Sequence, residues 1–448
     1  MEKFDLNSDN VTGLFSKIFL PTLIGMLSIS AVTAIDGIFI GQGVGSDGIA
    51  AVNILIPVYM IFTGVALMVG AGCSVAASIL LSRGKVLSAR VNVTQAMILV
   101  TVVSAVAELL MLLFPERTAL LLGSSPTLMS LVVDYIVSFV PSWIFQMWIT
   151  VGLFVIRLDG APRLAMLCSV LAAVENAFLD WLFIFPLDMG LFGAGVATSI
   201  SLATGGLIVG GYIAFKARTL RLCRLPWTAR GMRQAFRNLA LQCRVGSSSL
   251  LNEATLAVLM FVGNQVFMHY LGDDGVGAFG IACYYAPFVF MVGNAIAQSA
   301  QPVISYNYGA GEMDRVAKVT RVALRVAVLC GLLVTVMFVV FPEFLVSLFV
   351  SPEGRAARIA IGGFPLFSVG FTAFILNLTV VGYYQSVERV KPATVFALMR
   401  GCLFMVPFFL LLPLVMGEAG IWLAMPFSEI CTVLSVAIFY LRGRRISA

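Results

Sequence analysis

Between Phe15 and Tyr440 the chain is a succession of apolar stretches, separated by short clusters of Gly, Pro and charge. A bilayer's hydrocarbon core is crossed by about 20 residues of α-helix. Within it every backbone N–H and C=O must find a partner in the chain, so such stretches fold as helices. Twelve are predicted, over 15–41, 49–80, 91–114, 127–153, 163–186, 192–215, 238–269, 276–305, 315–341, 357–384, 392–415 and 419–441. Composition excludes the main alternative. With 60% hydrophobic and 11% charged residues, 448 residues cannot supply the polar surface of a soluble protein. The expected fold class is an all-α membrane protein without a sizeable soluble domain. Met1 to Ser16 is short and polar and lacks a cleavable leader pattern, so the first helix is expected to remain as a span.

The basic residues set an orientation. With the N-terminus inside and the helices alternating, all but three of the 28 Lys and Arg fall on inner segments; Arg117, Arg355 and Arg358 are the exceptions. Arg157 and Arg400 are counted with those inner segments, and so are Lys216 to Arg244 of the central region. Positive-inside bias therefore predicts both termini in the cytoplasm. It also accounts for the net charge of +6 without nucleic acid as a partner. Eight scattered Cys without a CxxC pair read as small apolar residues. The single histidine, His269, cannot build a zinc or copper site.

The chain repeats itself. GSDGIAA at Gly45–Ala51 is echoed by GDDGVGA at Gly272–Ala278. At the same offset Ile54 pairs with Ile281, Ser78 with Ser305, Gly84 with Gly311, Gly190 with Gly417 and Ser201 with Ser428. Six helices on each side of a basic segment predict two pseudo-symmetric six-helix bundles. Residues 1–215 form an N-lobe, 216–237 a cytoplasmic linker and 238–448 a C-lobe. Parallel repeats of this kind suit alternating access to a central site. Asp47 and Asp274, in matched turns, read as helix caps.

Against this apolar background the intramembrane acids stand out. A carboxylate at the centre of a span costs about 2.5–3.5 kcal/mol on insertion scales, and such residues ordinarily handle ions, protons or substrate. Asn176 and Asp180 are one helical turn apart and share a face. Asp36 on the first helix and Thr198 on the sixth are expected at a similar depth, in the outer half. Two carboxylates, an amide and a hydroxyl make an oxygen-only set suited to Na⁺, and a carboxylate pair also holds a proton. At the repeat offset Asp36 meets Gly263 and Asp180 falls near Leu410, so the acids belong to one half. Glu253 is a candidate second protonation or substrate site; Glu108, Asp134 and Glu175 read as packing or interface residues. Pro21, on the helix that carries Asp36, is a candidate bend.

DGIFIG from Asp36 and GSDGIAAV from Gly45 resemble segments of the multidrug and toxic compound extrusion (MATE) transporters. So do NAFLDWLFIF from Asn176, GLFGAGVAT from Gly190 and QSAQPVISYNYGAG from Gln298. The resemblance spans the chain, and its acid pattern is similar to the DinF-like bacterial branch. It implies a MATE/MOP-type fold of twelve transmembrane helices and drug/cation antiport. Pro21, Asp36, Asn176, Asp180 and Thr198 match that branch's bend and cation site, and Glu253 looks like the seventh-helix acid of another branch. An asparagine that some members carry late in the fourth helix is absent; the region reads TVGLF from Thr150.

The expected function is a secondary active multidrug exporter that antiports small cationic or amphipathic compounds against Na⁺ or H⁺. No cofactor and no catalysis are expected, and the setting is the bacterial inner membrane, as a monomer. The alternative is a flippase for a lipid-linked saccharide or other lipid, which would need basic groups in its central cavity. An enzyme would need a polar catalytic cluster that the sequence lacks.

Overall fold

A computed structural model describes residues 10–225, 229–350 and 353–446. Lys3, residues 226–228 of the expected linker and residues 351–352 of an expected turn lie outside the described residues.

Every element described is helical. The first half holds α1 (Val11–Gly43), α2 (Ser46–Ser82), α3 (Val86–Leu113), the short α4 (Pro115–Leu121), α5 (Met129–Phe139), α6 (Trp143–Leu158), α7 (Pro162–Ile184) and α8 (Gly190–Gly211). Then come α9 (Ala229–Ala310), α10 (Met313–Val340), α11 (Pro342–Ser347), α12 (Arg355–Ser368), α13 (Phe371–Ser386), α14 (Val390–Leu398), α15 (Met405–Met416) and α16 (Glu418–Ile446). Local chemistry sets several ends. The Asn10 side chain caps α1 by accepting from Gly13 N at 2.8 Å. Prolines open α4, α7 and α11, where a missing N–H has no helical partner to lose. Pro141 sits in the tight turn Val140–Ser142 that separates α5 from α6. Pro21 lies inside α1, which stays helical through it.

Among the described residues ten helices are long and apolar enough to cross a membrane, or eleven if the bent pair α12–α13 (47°) is one span. The sequence predicts twelve. The difference lies in α9, where two expected spans run together. At the expected turn between them, Gly272 alone leaves helical geometry, with φ 64° and ψ −155°. Much of the apolar surface faces outward: Leu121, Leu333 and Val415 are all strongly exposed. In a chain of this composition that surface meets lipid tails.

The repeat reaches into backbone conformation. Gly45 and Gly272 have φ 91° and 64°, Gly84 and Gly311 70° and 85°, Gly190 and Gly417 56° and 58°. Positive φ at matched turns is a geometry that a side chain resists and glycine permits. Asp47 is not the cap that the sequence led one to expect. The cap position of α2 is Gly45, without a side-chain bond, and Asp47 lies in the first turn. Asp274 instead approaches Arg355 at 3.6 Å, in an exposed pair. All eight Cys are free; Cys73 and Cys168 are fully buried, and Cys402 is exposed.

The chain divides into two compact units: Met1–Leu250 with Ser305–Met313, and Leu251–Ile304 with Asp314–Ala448. Within the first, α1 packs on α7, α7 on α8, α6 on α2 and α8, and α5 on α8. The start of α9 also belongs there. A Cβ added at Gly72 would collide with the carbonyl oxygen of Gln242, and one at Gly246 with that of Met68. The Gln242 amide donates to the side chain of Asn92 and, at 3.2 Å, to its carbonyl. In the second unit α16 packs on α12, α13 and α15, and α13 on α14.

The crossing at Gly246 yields a test. Gly246→Ala drives a methyl into a backbone oxygen, and overpacking of this kind costs about 1–3 kcal/mol. Gly211→Ala, with no atom within 4 Å of the added Cβ, is the control. The purified Gly246 variant is expected to melt at a clearly lower temperature than both parent and control.

Candidate functional site

Helix packing in the first unit decides which polar groups meet. Because α7 lies against both α1 and α8, its one polar face reaches two neighbours. Asn176 and Asp180, one turn apart, occupy that face and are buried, Asp180 completely. Toward α8, Asn176 Nδ2 donates to Thr198 Oγ1 at 3.2 Å. Thr198 Oγ1 in turn donates to the carbonyl of Ala194 at 3.1 Å. Toward α1, the carboxyl groups of Asp180 and Asp36 lie within hydrogen-bonding reach of each other.

The electrostatics of this pair are unusual. Neither oxygen of Asp180, nor Oδ1 of Asp36, has a hydrogen-bond donor among the described residues. A carboxylate is acceptor-only, so two of them in contact have nothing to share until one gains a proton or a cation comes between them. A buried charge that lacks a partner is neutralised or paired rather than tolerated. Such an arrangement can accommodate a positive charge, and the side-chain atoms it offers for one are oxygens. Among the described residues no three His, Cys, Asp or Glu side chains gather to hold a metal. The set here is two acids, an amide and a hydroxyl, suited to a hard monovalent cation or a proton.

Tyr135 on α5 lies in the neighbourhood of the pair. Its buried phenol lies close enough to interact electrostatically with Asp36, Asp180 and Tyr59. Tyr135, Phe139 and Trp143 follow at four-residue intervals, with ring centroids 5.2 and 5.7 Å apart along the stripe. That aromatic spacing was a readable signal, and sequence reasoning missed it.

The other acids separate by role. Glu175 points to α8, where Thr204 Oγ1 donates to its Oε1 at 3.0 Å. Glu108 accepts from the backbone N–H of Ile144, in the first turn of α6, just after the break at Pro141. Asp134 is exposed. Glu253 belongs to the second unit and has one buried oxygen without a donor among the described residues. Asp159, which sequence reasoning passed over, follows α6. It accepts from the Tyr212 hydroxyl and the backbone N–H groups of Arg218, Thr219 and Leu220 at 2.7–2.9 Å. It thus ties the start of the basic segment to the first unit.

One sequence expectation needs correction. Arg157 and Arg400, counted among inner-rim bases, are both buried, Arg400 completely. Besides Glu253, the second unit buries an acid that sequence reasoning passed over. Glu429 is wholly buried and pairs with Arg400 at 2.9 Å. Counting charge by position along a helix gives depth but not facing, so the burial of the two arginines was not legible.

Comparison with known proteins places this geometry in a wider set. The MatE family model matches residues 21–182 and 249–411. The chain is 27% identical over 434 residues to an FAD transporter of Shewanella oneidensis, covering 95% of this chain and 93% of that protein. It is 23% identical over 439 residues to the multidrug export protein MepA of Staphylococcus aureus, covering 96% and 93%. Among solved structures, an outward-facing multidrug resistance MATE family transporter of the MOP superfamily matches with a TM-score of 0.90. It is 21% identical, over 98% of this chain and 96% of that one. A MOP superfamily transporter from Pyrococcus furiosus matches with a TM-score of 0.88 and 21% identity, over 100% and 98%.

The unpartnered carboxyls make a stability prediction. Asp180→Asn keeps the shape of the side chain and removes a buried charge, so the purified variant is expected to melt at or above the parent's temperature. It is also expected to lose any rise in melting temperature that the parent shows on adding Na⁺, because the ion's preferred ligand is gone.

Proposed function

Since the chain belongs to the MatE family, and is a secondary active antiporter of organic compounds and not an enzyme, we propose that it exports cationic or amphipathic compounds in exchange for Na⁺ or H⁺ bound at Asp36 and Asp180. Asn176 and Thr198 complete the site, and Pro21 lets α1 bend as its charge state changes. The observation that carries this reading is the buried contact between two carboxyls, three of whose four oxygens have no donor among the described residues. Occupancy of such a site is linked to conformation if the cation favours one arrangement of the surrounding helices. The cycle then runs by alternating access. Substrate enters from the cytoplasm or inner leaflet, the access side changes, and cation binding at the acid pair promotes release. Glu253 serves as a second protonation or substrate site.

The same proposal covers the finer architecture. The bent α12–α13 pair counts as one span and Gly272 divides α9 into two, which gives twelve helices. Residues 1–215 and 238–448 act as the lobes joined by 216–237, with both termini cytoplasmic in a bacterial inner membrane. The protein acts as a monomer of the DinF-like branch.

An anionic cargo, whether a flavin dinucleotide or a lipid-linked saccharide, is the rival reading. It is disfavoured because the wholly buried guanidinium of Arg400 is engaged by Glu429 and not offered to a phosphate.

Reconstituted vesicles decide the matter. With a fluorescent organic cation inside, efflux is expected only under an imposed Na⁺ or H⁺ gradient; varying each ion alone identifies which one couples. Asp36→Asn and Asp180→Asn are each expected to lower gradient-driven efflux by about tenfold or more, the effect of losing about 1.4 kcal/mol of coupling. Full coupled efflux in both variants removes the site assignment. Transport of FAD or a lipid-linked sugar without dye efflux establishes the rival.

A further inference from the structure

Each half of the chain buries its own polar cluster, and the two are chemically opposite. In the first unit three of the acid pair's four oxygens have no donor among the described residues. In the second, Glu429 on α16 is surrounded by donors. Arg400 Nε donates to its Oε1 at 3.0 Å and its Oε2 at 3.2 Å, and Arg400 Nη2 to its Oε1 at 2.9 Å. Asn377 Nδ2, from α13, adds a bond to Oε2 at 2.7 Å and another to the Glu429 carbonyl at 2.9 Å. Arg400 Nη1 also reaches Asn252 Oδ1 at 3.3 Å, and the guanidinium carbon sits 4.4 Å from the centroid of the Phe374 ring.

The backbone is shaped to bring that guanidinium inside. Arg400 lies in the π-helical turn Met399–Leu403, between α14 and α15. Such a turn shifts the side chain's facing and disturbs the regular bonding of nearby carbonyls. The Arg400 carbonyl is satisfied from outside the turn by Ser428 Oγ, at 2.9 Å. Gly401 keeps the turn tight against α9, where a Cβ would collide with Thr255 Oγ1. The hydroxyls of Thr255 and Ser428 have like counterparts in the repeat, Ser28 and Ser201, but the charged pair and its two amides do not. Asn252, Asn377, Arg400 and Glu429 correspond to Gly25, Thr150, Ala173 and Leu202.

Without its guanidinium, this cluster leaves a buried carboxylate with one remaining side-chain donor, the Asn377 amide, and the oxygen of Asn252. Both Glu429 oxygens and Asn252 Oδ1 face the guanidinium. Asn377 Oδ1, on a side chain 1% exposed, has no donor among the described residues. We propose that Arg400 is a tethered counter-cation that occupies a latent cation site in the second unit, and so keeps the driving ion off Glu429 and leaves Na⁺ to the acid pair of the first. An arginine does not lose its proton in a protein, so this positive charge is never exchanged for Na⁺ or H⁺ during a cycle. Arg400 is thus a specificity-determining residue for the transport reaction: it limits where the driving ion binds. The proposal rests on the reading of Asp36 and Asp180 as the coupling site.

A purely structural ion pair would contribute to stability without affecting ion binding. Radiosodium binding and proton release therefore separate the two, measured on the purified full-length protein in detergent. Asp36→Asn/Asp180→Asn is expected to bind no sodium and to release no proton on sodium addition. Adding Arg400→Met to that background is expected to restore sodium binding to at least about ten times the background signal, and adding Glu429→Gln to remove it again. A monodisperse, cooperatively melting Arg400→Met triple variant that binds nothing overturns the proposal. A second comparison leaves Arg400 in place and decides even if that variant does not fold. Residual ion binding in Asp36→Asn/Asp180→Asn that Glu429→Gln abolishes shows that Glu429 already exchanges ions, and also overturns the proposal. Residual binding that survives Glu429→Gln contradicts the first-unit coupling site instead.

Discussion

Two carboxyl groups that touch inside an apolar bundle set the terms for the rest of this molecule. Asp36 comes from α1 and Asp180 from α7, and the described residues offer no donor to Asp36 Oδ1 or to either oxygen of Asp180. Everything nearby preserves that unmet demand. On α7 the Asn176 amide is directed to Thr198, and the Tyr135 phenol lies near enough to feel both carboxyls. A site left short by one positive charge acquires function only if the missing charge arrives from solution. In an antiporter, the ion that supplies it comes from the gradient.

The halves share a scaffold and differ in their interiors. Matched glycines at Gly45 and Gly272, Gly84 and Gly311, and Gly190 and Gly417 adopt the same left-handed backbone at corresponding turns. The repeat thus fixes where helices begin and end. It does not fix what they bury. One interior holds two carboxyls, three of whose four oxygens have no donor among the described residues; the other holds a carboxylate with four short contacts from Arg400 and Asn377. Internal symmetry in the fold is compatible with a driving ion that acts on one side of it.

Much of this was legible in the sequence, because lipid leaves a long apolar run little choice but to be helical. Spans, turns and the repeat could be read residue by residue, and acids within apolar runs announced themselves. What escaped was facing. Arg400 follows Lys391 by little more than two turns, so depth alone placed it with the inner bases; the π-helical turn that swings it inward has no sequence mark of its own. Glu429 was passed over for the same reason, since an acid becomes informative only when its neighbours across the bundle are known. Tyr135 could have been found by its four-residue spacing from Phe139 and Trp143. Asp159 could not, because its partners lie far along the chain at Tyr212 and Arg218 to Leu220. The count of spans differed where Gly272 turns the chain within one residue and where α12 meets α13 at 47°.

The most direct test of the central claim is infrared difference spectroscopy of the reconstituted protein, with isotope-labelled aspartate, on adding Na⁺ at fixed pH and on changing pH without Na⁺. The account expects a protonated-carboxyl band that responds to at least one of these ions and is lost in both Asp36→Asn and Asp180→Asn. A spectrum in which no aspartate band responds to either ion, or a responsive band that persists in both variants, contradicts it.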